Sequence, residues 1–97
     1  MYVGVILYRF KPEDVEKALD TWKEMVLPEA KKQSGFIKAE MFADRVTGRA
    51  MDIGYWQTEK DADNFEKSGA YGFLINALND YLEVKPQRMQ FQKILEG

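Results

Sequence analysis

Apolar positions follow two rhythms along this chain. From Tyr2 to Phe10, "YVGVILYRF", β-branched and aromatic residues run together, and Pro12 punctuates the end, which predicts a strand. Tyr2, Ile6, Tyr8 and Phe10 share one face, and Val3, Val5 and Leu7 share the other. A strand apolar on both faces is normally covered on both. From about Pro12 to Gln33 the rhythm changes. Val15, Leu19, Trp22, Val26 and Ala30 step by four, three, four and four, one stripe of an amphipathic helix. Proline suits the first helical turn, and Glu13 and Asp14 suit the positive end of the helix dipole. Pro28 predicts a kink or a break, and Ser34-Gly35 closes the element.

Two further strands, Phe36 to Ala43 and Arg49 to Gln57, flank "DRVTGR", a hairpin signal. Thr58 is an N-cap candidate for a helix with Glu59, Asp61 and Asp63 in its first turns. "KSGAYG" breaks that helix, and a second piece carries Tyr71, Leu74, Ile75, Leu78 and Leu82 at helical spacing. Gln87 to Ile94 reads as the last strand. The order β-α-β-β-α-β predicts an α+β, ferredoxin-like domain spanning residues 1–97. It has a four-stranded antiparallel sheet, helices on one face and the first strand central. No element remains to cover the second face. A second copy of the chain is the economical cover, so a homodimer packed sheet to sheet is expected.

Composition narrows the chemistry. The chain contains no cysteine and no histidine, which removes disulfides, thiolates, the commonest metal ligand and the usual base near neutral pH. Fourteen basic against sixteen acidic residues give a net charge of -2 and offer no phosphate-binding surface, so no nucleic-acid partner is expected. The longest apolar run, Val3 to Tyr8, is too short to span a bilayer and no basic segment precedes it. The expectation is a cytoplasmic protein without membrane contact. No glycine-rich phosphate loop, G-x-S-x-G or metal-ligand spacing occurs, so neither a metal nor another cofactor is expected.

The third strand carries the unusual pattern. Met51, Ile53 and Tyr55 make one uniform, bulky side. Ala50, Asp52, Gly54 and Trp56 make the other: small, acidic, absent, then very large. Glycine inside a strand can mark close approach by a ligand, and Trp56 would wall the space it leaves. Trp56 is either that wall or a core plug. Asp52 is either solvated at the wet start of the strand or partly desolvated, in which case its pKa rises and it can act as a base. Trp22 reads as core, as does Tyr71, and Asn76 leaves the apolar stripe of its helix. Arg9, the one charge in the first strand, makes a strand-end salt bridge or binds an anion.

"SGFIKAEMFADRVTGRAMDIGYWQTEKDADNF" (Ser34 to Phe65) resembles the central segment of the antibiotic-biosynthesis-monooxygenase type of dimeric α+β barrels. The resemblance lies in Gly35-Phe36 opening the second strand, the hairpin, and Trp56-Gln57-Thr58 before a helix. It implies a dimer whose pockets lie between each sheet and its helices. It also implies oxidation of aromatic polyketides or quinols by O2 with neither metal nor flavin, the substrate's own enolate or phenolate activating oxygen. Trp56 matches a pocket tryptophan of several members. Some members carry asparagine near Asp52, and this chain departs from them; it also lacks the histidine that a haem-degrading relative uses. Two functions follow. In the first, a cofactor-independent monooxygenase acts on a small phenol, quinol or polyketide-like molecule. Asp52 removes a proton, Tyr71 and Asn76 orient oxygens, and Val5, Leu7, Gly54, Trp56 and Phe65 line the pocket. In the second, the same fold is a non-catalytic module that binds a small ligand or only dimerises.

Overall fold

In a computed structural model describing residues 1–97, strand β1 (Tyr2–Arg9) lies inside a sheet of order β2-β3-β1-β4. It pairs antiparallel with β3 (Arg49–Trp56) on one side and with β4 (Gln87–Gln92) on the other. β2 (Phe36–Ala43) closes the edge beyond β3. The hairpin between them turns through Asp44, whose carboxylate accepts from the Val46 and Thr47 amides, a local bond that favours a turn over a continued strand. Gly48 completes it at φ 82, where a Cβ would stand 2.0 Å from the Phe10 carbonyl oxygen. Gly48→Ala is therefore expected to destabilise the fold by roughly 2 kcal/mol or more. A denaturation midpoint within error of the parent would show that this turn reshapes freely.

The helical stretch after β1 starts with a 3-10 turn at Pro12–Asp14 and continues as α1 (Val15–Thr21). It then widens into one π-helical segment, Trp22–Val26, before α2 (Leu27–Lys31). The helix is not broken at Pro28. Pro28 has no amide for the preceding turn, and the chain adjusts upstream: the Leu27 N–H bonds the Trp22 carbonyl, five residues back. Thr58 caps α3 (Glu59–Lys67) as anticipated, accepting from the Asp61 amide at 3.1 Å. α4 (Ala70–Leu78) follows after Gly69. No helix is long and apolar enough to cross a membrane.

All helices lie on one sheet face. Ile6, Tyr8 and Phe10 of the β1 segment pack there against Val15, Ala18, Trp22 and Val26, and against Leu74 and Leu78 of α4. Phe10, Leu74 and Leu78 are at most 1% exposed, and burial of each such side chain contributes about 1.5–3 kcal/mol. A bulge between Phe36 and Lys38 lets both Phe36 and Ala39 reach this core. The opposite face stays open. It presents Val3, Val5 and Leu7 of β1, Met51, Ile53 and Tyr55 of β3, and Phe42, Met89 and Phe91 of the edge strands. Leu7, Phe42 and Phe91 are 38%, 49% and 51% exposed. The prediction that Val5 and Leu7 line the pocket beside Trp56 is thus corrected. Side chains alternate along a strand, and these two point away from the helices.

Candidate active site

The register of the sheet stacks small residues under one large one. Ala39, Gly54 and Gly4 lie side by side on β2, β3 and β1. The Trp56 indole lies over this row, with its Nε1 3.2 Å from where a Gly54 Cβ would stand and 3.7 Å from a Gly4 Cβ. The ring is 3% exposed. It meets Phe36 edge-on at 5.5 Å and tilts against Phe65 at 5.6 Å. Trp56 is therefore both plug and wall. It fills most of the hollow left by the glycines and bounds what remains.

What remains is a cavity of about 30 Å³, room for one or two waters. Ile6, Trp22, Leu27, Phe65 and Leu74 supply apolar walls, and Asp52 and Arg88 supply the charge. The next row of the sheet sets both charged residues, because Ile6 of β1 pairs with Asp52 on one side and with Arg88 on the other.

Asp52 is 5% exposed, so it is not the solvated strand-start residue that was one of the two alternatives. Its Oδ2 accepts from the Tyr8 hydroxyl and from Trp22 Nε1, the latter at 3.1 Å. Oδ1 makes no hydrogen bond and belongs to a residue lining the cavity. Burial raises the Asp52 carboxyl from 3.8 to about 6, although the Tyr8 and Trp22 bonds and the Arg88 charge pull the other way. Burial, with the Asp52 charge beside it, pushes Tyr8 well above the usual phenol range, so Tyr8 stays protonated and donating. The result is a carboxylate held in one orientation with one oxygen free, able to exchange a proton near neutral pH.

Arg88 reaches the cavity from β4. Its Nη2 donates to the Ala62 carbonyl at 2.8 Å and its Nη1 to Gln90 at 2.6 Å. The guanidinium also lies 5.9 Å from the Phe65 ring and 5.8 Å from the Tyr71 ring. These contacts replace the water that the half-buried cation gives up. Tyr71 is half-buried and does not line the cavity; it packs against Phe65 and Arg88, and burial raises the pKa of its hydroxyl, with the Asp52 charge adding to the rise. Asn76 is exposed on α4 and makes no side-chain hydrogen bond, so its predicted role beside Asp52 is corrected. Asp52, Gly54, Trp56 and Phe65 are brought together as anticipated.

Sequence reasoning missed Tyr8, Trp22 and Arg88. A signal for Arg88 was present. β4 turns its apolar Met89 and Phe91 to the open face and its polar Arg88 and Gln90 to the helices, the reverse of an ordinary half-buried strand. No group of three or more His, Cys, Asp or Glu side chains is placed to hold a metal ion.

The pattern of the family described as antibiotic biosynthesis monooxygenase matches residues 1–74. No curated protein matches the chain in sequence. Several solved structures match in fold. A monooxygenase from the gene ActVA-Orf6 of Streptomyces coelicolor, in complex with nanaomycin D, is 19% identical with a TM-score of 0.78, over 99% of this chain and 92% of that one. SnoaB, a cofactor-independent oxygenase from Streptomyces nogalater, seen as a point mutant, is 12% identical with a TM-score of 0.74, over 98% and 94%. A conserved protein from Methanosarcina mazei Go1 is 18% identical with a TM-score of 0.77, over 97% and 94%.

Proposed function

Because this chain belongs to the antibiotic biosynthesis monooxygenase family, we propose that it oxidises a small phenol, quinol or anthrone-like molecule with O2, without a metal or flavin. The observation that carries this is Asp52: a buried carboxylate with one free oxygen, titrating at about 6, on the wall of an otherwise apolar cavity. Asp52 takes a proton from the acidic C–H or O–H of the substrate. Arg88, on the same wall, stabilises the negative charge left on the substrate. For a methylene substrate the carbanion reduces O2 and couples with it to give a peroxide at that carbon. Protonation by Asp52, loss of the second C–H proton and departure of hydroxide leave a carbonyl. One oxygen atom stays in the product and the other leaves as water. The protein's task is to deprotonate, orient and desolvate. The fold relatives support this class of reaction, one being a cofactor-independent oxygenase and another a monooxygenase holding nanaomycin D.

The cavity of about 30 Å³ is smaller than a ring, and benzene occupies engineered cavities of about 150 Å³. Seating a substrate therefore requires Trp56 or Phe65 to swing aside. That same tightness favours the second function, a non-catalytic module in which Asp52 only anchors Tyr8 and Trp22. Oxygen uptake above autoxidation, across anthrones, quinols and phenols, separates the two. Uptake is expected with at least one class. Its absence across the whole panel would leave the binding module.

The open sheet face fits a homodimer completing an α+β barrel. Its apolar residues are continuous across all four strands, and stable pairings bury about 800 Å² per partner. Sedimentation at micromolar concentration is expected to give twice the chain mass, and a monomer would remove this assignment.

A further inference from the structure

The open face changes character along its length. At its margin, where β1 finishes and residues 83–86 lead into β4, it passes from apolar to cationic. Arg9 and Arg49 stand directly opposite each other on neighbouring strands. Both follow the alternation of Leu7 and Met51, so both side chains belong to the open face. Like charges in direct cross-strand register are destabilising. A fold with a net charge of -2 and many carboxylates could answer them with an ion pair, but it does not. Every ion pair of the chain lies elsewhere, at Lys32, Lys38, Arg45, Arg88 and Lys93. Asp44, beside Arg49 across the turn, spends its carboxylate on the Val46 and Thr47 amides and forms no ion pair with either arginine. Glu83 touches Arg9 through its backbone, its amide donating to the Arg9 carbonyl at 2.8 Å, and its carboxylate makes no ion pair. Lys85 brings a third cation to the same place.

These groups surround a hollow of about 370 Å³, within the size range of small-molecule sites. Arg9, Arg49, Lys85 and the Gln87 amide give it donors. Leu7 and Val84, the latter 48% exposed, give it apolar sides. We propose that this hollow binds an organic oxyanion, a carboxylate or phosphate monoester carried on an apolar body, with Arg9 and Arg49 gripping the oxygens and Val84 the body. Two guanidiniums side by side suit such a group because their planar N–H forks match its oxygens in pairs. The site is separate from the Asp52 cavity, which opens on the helix side of the sheet.

The test is thermal unfolding and titration calorimetry of the full chain with benzoate, phenyl phosphate and inorganic phosphate, at fixed ionic strength. Benzoate or phenyl phosphate is expected to bind saturably and raise the unfolding midpoint, and inorganic phosphate to bind more weakly for want of an apolar body. Comparing the first two identifies which oxyanion the site prefers. Arg9→Gln and Arg49→Gln are each expected to weaken binding by about tenfold. Without anion both variants should unfold at the parent's temperature or higher, since the cross-strand repulsion is gone. Asp52→Asn should bind as the parent does. A response that is not saturable and is matched by chloride would reduce the effect to screening and overturn the proposal. So would saturable binding untouched by both arginine variants. If those variants altered self-association and not anion affinity, the cations would serve a carboxylate of a second copy, and the free-anion site would fall.

Discussion

Asp52→Asn is expected to make the protein more stable at neutral pH and to lose turnover. The carboxyl titrates at about 6 in the folded protein against an ordinary 3.8, because burial penalises its charge. Between those values the folded state keeps a proton that the unfolded chain has already released. Stability therefore falls as pH rises from about 4 to about 6 and stays low above that. The difference in pKa corresponds to at most about 3 kcal/mol. Asparagine keeps an oxygen to accept from Tyr8 and from Trp22 Nε1 while removing the charge. The unfolding midpoint should rise by roughly 5–15 °C at pH 8 and hardly at all at pH 4. Turnover should drop at least about a hundredfold, and the parent's kcat/KM should climb with pH through about 6. Retained turnover would remove Asp52 as the base. A lower midpoint at pH 8 would mean that the charged form is what anchors Tyr8 and Trp22.

Trp56→Ala is expected to cost about 3–5 kcal/mol, a large part of the 5–15 kcal/mol typical of a small domain. The indole covers the Gly4–Gly54 row and bridges Phe36 and Phe65, so its removal leaves a hole that the sheet cannot close. That hole is ring-sized, apolar and next to Asp52. Benzene or indole added in solution should then raise the variant's unfolding midpoint and leave the parent's unchanged. The comparison measures, without any turnover, whether a ring can sit where the proposed substrate must. A cost below about 1 kcal/mol would show the indole to be a mobile flap over an already open pocket. A large cost without rescue by either ligand would mean that the space collapses, and the substrate position would have to be sought elsewhere.

The residues that the chain alone places correctly are those whose surroundings follow from period. Alternation along β3 puts Asp52, Gly54 and Trp56 on one side, and the four-residue stripe puts Trp22 on the buried side of its helix. Thr58 is legible for the same reason, since a cap is made within three residues of itself. Alternation says which residues share a face. It does not say which face the helices choose, and that is why it admits Val5 and Leu7 to the pocket when they lie on the open side.

Register, by contrast, comes from the way distant segments pack. Tyr8 and Asp52 are 44 residues apart and Trp22 and Asp52 are 30 apart. Each contact depends on strands meeting in one alignment and on a π turn presenting the indole from above. Arg88 joins them only because Ile6 is paired on both sides at once. The order of elements, the residues that share each strand face and the presence of one acid beside a glycine and a tryptophan are legible in the chain, because those depend on near neighbours. Burial of that acid, the partners that orient it and the cation facing it depend on distant segments, and a slip of one residue in any pairing would turn all of them to the other side.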